Sequence, residues 1–91
     1  MRIISQKGID LPYDKFMIVP KGMRIIAISV FNGNYSEDLG IYETEERTLE
    51  VMEGIRRHAD SLYDDKLRAI YNVDNEEALS YHFSYYQMPK E

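Results

Sequence analysis

Apolar and polar positions follow two different periods along this chain, one of two residues and one of about 3.6 residues. Before Thr44 the apolar residues, many of them β-branched, occur in short runs, which is typical of strands. Turn signals separate the runs at Lys7-Gly8, at Pro20-Lys21-Gly22 and at Asn32-Gly33, where the φ > 0 pair of a tight hairpin turn is expected. The pattern predicts strands at residues 2–6, 9–11, 16–19, 23–31 (the central strand) and 39–42.

An amphipathic helix is predicted from the point where the period changes. Thr44 can serve as its N-cap, because a threonine hydroxyl can accept a hydrogen bond from a backbone N–H two or three residues further on. Apolar residues then recur at spacings of three and four, which places them on one helical stripe that we expect to be buried: Leu49, Met52, Ile55, Ala59 and Leu62. We expect the helix to span about residues 44–63. Leu67 and Ile70 could extend it by two turns, and Asn72-Val73-Asp74-Asn75 would then break it.

Aromatic residues crowd the stretch YHFSYYQMPKE, residues 81–91, where the period of two returns. Alternation would point Tyr81, Phe83 and Tyr85 to one face, and His82, Ser84, Tyr86 and Met88 to the other. We interpret the stretch as a final strand that pairs beside an earlier strand, with its ring-bearing first face covering the helix. The alternative is a ligand site, in which the base of a nucleotide-type ligand stacks on rings drawn from Tyr81, His82, Tyr85 and Tyr86.

These elements predict a single α+β domain over residues 1–91, since a chain of this length supports one core. The expected architecture is a small, mostly antiparallel sheet of four to six short strands with the helix packed on one face. The central strand carries apolar residues on both of its faces. The second face of the sheet would then be available for self-association, and we therefore also expect a homodimer.

Composition and charge exclude several classes of function. Sixteen acidic residues against eleven basic ones give a net charge of −5, which argues against nucleic-acid binding. The chain has no cysteine and only two histidines, so we expect no disulfide, no metal site and no cofactor. It also lacks an apolar run long enough for a membrane span and begins without the apolar run of a signal peptide. We expect a soluble, cytoplasmic protein.

Carboxylates gather around the start of the predicted helix, at Glu45, Glu46, Glu50 and Glu53. They form either a solvated helix face or a docking surface for a basic protein partner. Catalytic signatures do not accompany them: the sequence has no glycine-rich phosphate loop, no nucleophile elbow and no evident acid–base pair. We therefore predict no catalytic residue and a non-enzymatic protein, with these four glutamates as the partner-binding residues.

Three blocks of the sequence resemble a group of short phage and prophage proteins from Gram-positive bacteria. The opening MRIISQKGIDLPY resembles their M-R-I-I-S-Q-D-G followed by I-D-(L/V)-P-Y, and YETEERTLEVMEGIRR (residues 42–57) is similar to their Y-S-T-E-E-K-A-x-x-V-M-E-x-(L/I)-R. The closing YYQMPKE is similar to their F-Q-(F/M)-P plus acids. The resemblance implies a phage or prophage origin and an α+β fold, and it assigns no activity. A phage accessory protein that binds a host protein, such as a defence component or a regulator, is our leading expectation.

Overall fold

The structure is a computed structural model that describes the backbone of residues 1–72 and 85–91 and the side chains of residues 1–61 and 85–91. Within these residues the fold consists of one helix and six strands in two three-stranded sheets. The elements in chain order are β1 (Arg2–Ile4), β2 (Asp10–Pro12), a 3-10 turn (Tyr13–Lys15), β3 (Phe16–Lys21), β4 (Arg24–Ser29), β5 (Ser36–Ile41), α1 (Glu45–Asn72) and β6 (Tyr85–Gln87). The predicted α+β class is confirmed.

The first sheet is the antiparallel meander β3-β4-β5, with β4 in the centre as predicted. Gly22 has a φ of 65° in the two-residue turn between β3 and β4, a value that such hairpin turns require. The prediction of a tight hairpin turn at Asn32-Gly33 is wrong. Its place is taken by a longer loop, in which the Tyr35 N–H donates to the Asn32 carbonyl at 2.9 Å, and Gly33 does not adopt a positive φ.

The second sheet has the order β2-β1-β6, so the expectation of one sheet is corrected to two. β1 pairs antiparallel with β2 and parallel with β6, where Ile3 lies opposite Tyr86. Gln6 links this sheet to the first one: its backbone N–H donates to the Leu39 carbonyl at 2.8 Å, and its side-chain oxygen accepts from the Ile41 N–H at 2.9 Å. One backbone bond and one side-chain bond of Gln6, rather than a continuous ladder, thus join β5 to the chain that follows β1.

The core lies between the two sheets and the first turns of α1. Its buried hydrophobic side chains come from every layer: Met1, Ile3, Leu11, Ile25, Ala27, Leu39, Tyr42, Val51, Ile55 and Met88. The Thr48 side chain is also fully buried in this core, and its hydroxyl donates to the Thr44 carbonyl at 3.1 Å. That bond satisfies the hydroxyl, so its burial leaves no unpaired donor.

The helix begins where the sequence predicts and ends later. The Thr44 hydroxyl accepts a hydrogen bond from the Arg47 N–H at 3.0 Å, which confirms the N-cap. The helix then continues past residue 63 to Asn72, the extension that Leu67 and Ile70 allow. Each of its turns adds backbone hydrogen bonds without a proline or glycine to interrupt them after Gly54.

The buried face of the helix is rotated from the predicted stripe by less than one residue, roughly 40°. The side chains that face the core are those of Thr48, Val51 and Ile55. Leu49 is 58% exposed, so its placement in the core is wrong. Ile55 is buried as predicted, Met52 and Ala59 are partly buried against the core, and the Leu62 side chain lies outside the described ones.

The final strand exists, but its two faces are the reverse of those predicted. Tyr85 is 58% exposed, whereas Met88 is fully buried and Tyr86 packs against the core. Pairing with β1 explains the reversal, because the residues that share the face of buried Ile3 must turn inward. Tyr81 and His82 lie outside the described residues.

Candidate protein-binding site

An open groove with a volume of about 730 Å³ runs between β3 and α1. We call it the α1–β3 groove. One wall is formed by the 3-10 turn and β3, and the other is formed by successive turns of α1. The lining includes Phe16, Met17 and Ile18 on the β3 side and Leu49, Met52 and Glu53 on the helix side.

A shallower hollow of about 550 Å³ continues the groove across the surface of α1. Leu49 and Glu53 line both depressions, so the two form one surface. Glu46 and Glu50 line only the hollow and stand on either side of Leu49 in the sequence. An apolar strip that is bordered by carboxylates therefore crosses the exposed side of the helix.

Two large apolar side chains are exposed at this surface: Leu49, at 58%, and Met17, at 54%. Single exposed apolar residues are ordinary in soluble proteins. These two line the same groove as the partly buried Phe16 and Met52, and we call these four side chains its apolar floor. Methionine side chains are flexible and polarizable, and such a floor can adapt to partners of different shape.

The four glutamates predicted to bind a partner do not all lie at this surface. Glu46, Glu50 and Glu53 line the hollow together, as helical spacing requires. Glu45 is exposed in the first helical turn and does not line either depression. The structure thus brings three of the four predicted residues together.

Arginines neutralise part of the acidic rim. The Arg47 guanidinium donates to the Glu50 carboxylate at 3.2 Å and to the Glu91 carbonyl at 2.8 Å. These contacts tie the end of the chain to the helix, and they leave the Glu50 side chain 67% exposed. A cationic partner can therefore still reach Glu50 from solvent.

Glu53 is the most strongly paired acid of the rim. Its carboxylate accepts hydrogen bonds from the Arg56 guanidinium, one of them at 3.1 Å, and from Arg57 Nε at 3.2 Å. The hydrogen bond and charge of Arg56, helped by Arg57, lower the pKa of Glu53 and outweigh the opposing effect of its burial. Arg56 in turn contacts Asp60 at 3.0 Å, so Glu53 belongs to a network along the helix. Glu53 and Arg57 lie four residues apart with the acid nearer the helix N-terminus, which is the favourable order for such a pair.

The aromatic residues of the alternative site are separated by the strand. Tyr85 points toward solvent, while Tyr86 packs on the helix beside His58, with ring centroids 5.6 Å apart. Burial raises the pKa of the Tyr86 hydroxyl. Because the two tyrosines lie on opposite faces, they do not form one stacking platform, and Tyr85 alone offers an exposed ring among the described candidates.

The described residues provide no assembled metal site. Among the described side chains, those of residues 1–61 and 85–91, no three of histidine, cysteine, aspartate or glutamate converge on one point. Within residues 1–72 and 85–91, no helix has the length and hydrophobicity that a membrane span needs.

Sequence reasoning missed the β3 side of the groove. Met17 belongs to the run Phe16–Val19, which reads as a buried strand, yet successive residues of a strand point to opposite faces. One of the two faces of an outer strand lies away from the helix, and Met17 is on it. The sequence did contain a signal that this strand is an edge strand. Its apolar run is followed by Pro20, and proline is confined to edge strands and strand ends.

Comparisons with known proteins add nothing to this geometry. No protein-family model, no curated protein and no solved structure matches the chain.

Proposed function

We propose that this chain is a non-catalytic binding protein that holds a basic segment of another protein in the α1–β3 groove. The observation that carries the proposal is the exposure of Leu49 and Met17 on a groove bordered by Glu46, Glu50 and Glu53. An apolar floor with an acidic rim is complementary to a segment that carries lysine or arginine. The aliphatic stems of such side chains cover apolar surface while their charged ends reach the carboxylates.

Electrostatics would act mainly on the rate of association. The chain carries a net charge of −5, and part of that charge lies along the exposed side of α1. Complementary rim charges steer a partner toward the site, and added salt weakens this steering. The apolar floor would instead govern how long the partner stays bound, because burial of Leu49 and Met17 is lost only on dissociation.

The class of partner follows from the resemblance of the sequence to phage and prophage proteins. On that basis the proposed partner is a host protein, such as a defence component or regulator, and the proposed location is the host cytoplasm. Binding to a small nucleotide-type ligand is the second candidate. Its structural support is the exposed ring of Tyr85.

The first experiment is a capture of partners from host cells by the tagged chain, with mass spectrometry of both proteins and small molecules. Association and dissociation rates are then measured for the captured protein with the wild-type chain and with the double variant Glu46→Lys and Glu50→Lys. We expect the double variant to lower the association rate at least about tenfold and to change the dissociation rate less.

Glu43→Lys is the matched control, because Glu43 is exposed and lines neither the groove nor the hollow. It should leave the association rate within about twofold of wild type, and circular dichroism should show that all variants are folded. If binding ignores salt and both charge reversals but is lost on Tyr85→Ala, the groove is not the site and the aromatic strand is.

A further inference from the structure

β3 forms one edge of the first sheet. The sheet order is β3-β4-β5, and within residues 1–72 and 85–91 β3 pairs with β4 alone. An edge strand presents a row of backbone N–H and C=O groups to whatever lies beside it. In this protein the α1–β3 groove lies beside it.

The register shows which backbone groups of β3 point outward. The Val30 N–H donates to the Lys15 carbonyl at 3.1 Å, so Lys15 and Val30 form a hydrogen-bonded pair. Hydrogen-bonded and non-hydrogen-bonded pairs alternate along an antiparallel ladder. Met17 and Val19 therefore bond to β4, whereas the backbone groups of Phe16, Ile18 and Pro20 face away from it.

These outward groups form a short docking edge. The Phe16 N–H is already used, since it donates to the Tyr13 carbonyl, and proline has no N–H at position 20. The remaining groups are the Ile18 N–H and C=O and the carbonyls of Phe16 and Pro20. Among the described residues, none accepts a hydrogen bond from the Ile18 N–H.

The position of the groove agrees with this edge. Three consecutive residues, Phe16, Met17 and Ile18, all line it, although their side chains alternate between the two faces of the sheet. A depression on one face of a sheet would be lined by every second residue of a strand. Lining by consecutive residues agrees with a depression that lies along the edge.

We propose that an extended basic segment of a partner protein adds to β3 as a further strand and pairs with Ile18 through backbone hydrogen bonds. This inference rests on the proposed function and specifies its mode of binding. Alternate side chains of the added strand would turn toward α1, where basic groups reach Glu53 and Glu50 across Leu49. The other side chains would lie beside Met17 and Val19, where apolar groups fit.

Charge favours a partner protein over a second copy of this chain at the edge. Four carboxylates, those of Asp14, Glu46, Glu50 and Glu53, line the groove and the hollow, against the two guanidinium groups of Arg56 and Arg57. Pairing β3 with the same strand of another copy would bring two acidic rims together, and like charges that face one another across an interface cost affinity. A basic segment relieves the same repulsion.

The test uses two synthetic peptides of equal composition. One alternates as Lys-Leu-Lys-Leu-Lys-Leu-Lys, and the other has the helical period Leu-Lys-Lys-Leu-Leu-Lys-Lys. Exchange of backbone amide protons with water is measured by NMR on the whole chain with each peptide. Bound peptide should slow exchange of the Ile18 amide by the factor 1 + [L]/Kd, which is about elevenfold at a concentration of ten times Kd.

The amides of Met17 and Val19 are the internal controls, because they already bond to β4 and should change little. We expect the alternating peptide to bind at least about tenfold more tightly than the helical one and to protect Ile18. A peptide could instead bind, lose affinity on Glu50→Lys and leave exchange of the Ile18 amide unchanged. That result would overturn strand addition and leave the proposed function standing. If neither peptide binds, the basic-segment function fails, and strand addition fails with it.

Discussion

Ile55→Ala and Leu49→Ala make a matched pair of substitutions that tests the orientation of α1. Each removes three carbon atoms from an aliphatic side chain of the same helix. Ile55 is 2% exposed and Leu49 is 58% exposed, so the two differ in what surrounds the deleted atoms. The stripe predicted from the sequence would bury both side chains, whereas the structure buries one.

The expected losses of folding free energy follow from these exposures. At about 0.8 kcal/mol for each buried methylene, Ile55→Ala loses about 2.4 kcal/mol of transfer free energy. The cavity that remains adds to this, which brings the expected total to about 3–4 kcal/mol. Less than one half of the Leu49 side chain is buried, so Leu49→Ala loses only that fraction of the transfer free energy, or about 1 kcal/mol.

Urea denaturation followed by circular dichroism measures both losses. A difference of about 2–3 kcal/mol between the variants should appear at an unchanged dependence on urea, and Ile55→Ala should lower the Tm by roughly 12–32 °C. If Ile55→Ala does not fold, Ile55→Val should still cost about 0.5–1.5 kcal/mol. Equal losses for the two alanine variants would refute the observed rotation of the helix.

Three further substitutions test other parts of the structure. Gly40→Ala should destabilise the fold by about 1–3 kcal/mol, because the new Cβ would lie 2.9 Å from the Tyr42 hydroxyl that bonds the Pro89 carbonyl; unchanged stability in urea would contradict this packing. Glu53→Gln should be less stable than wild type near neutral pH, and the difference in stability should vanish as the pH falls below about 4.5. The reason is that folding lowers the pKa of the Glu53 carboxyl. Such a carboxyl stabilises the fold above its ordinary pKa of 4.5 and loses this effect when it is protonated. A difference that persists in acid would exclude the arginine pairing as its cause. If the homodimer forms through the outer face of the first sheet, where Met17 pairs with Ile28, Ile28→Lys should convert it to a monomer in sedimentation equilibrium; a wild-type chain that is monomeric at all concentrations would exclude the dimer.

Features that depend on neighbouring residues could be predicted from the sequence. The strands before Thr44 follow from β-branched runs between turn signals, and the N-cap follows from a hydroxyl placed three residues before a free backbone N–H. The helix start and the central position of β4 are local consequences of the same kind. Each is decided within a few residues, so an isolated pattern is sufficient.

Features that depend on distant partners could not be predicted. The inward face of the final strand is decided by its parallel pairing with β1, which lies more than eighty residues earlier in the chain. The junction of the two sheets involves Gln6, whose side chain donates to the Pro89 carbonyl at 2.9 Å and accepts from the Ile41 N–H. A polar side chain that joins three segments leaves no periodic signal in a sequence.

The misplaced helix stripe and the proposed site have one physical origin. Ile55 belongs to two neighbouring stripes, one through Leu49 and Met52 and one through Thr48 and Val51, and hydropathy alone favours the first. The fold uses the second, because the Thr48 hydroxyl is satisfied by the Thr44 carbonyl and can be buried without penalty. Leu49 is consequently left at the surface, where it lines both the groove and the hollow and is accessible to the proposed partner. Leu49→Ala should therefore impair partner binding far more than folding. Val51→Ala should do the reverse, because Val51 is buried and lines neither the groove nor the hollow.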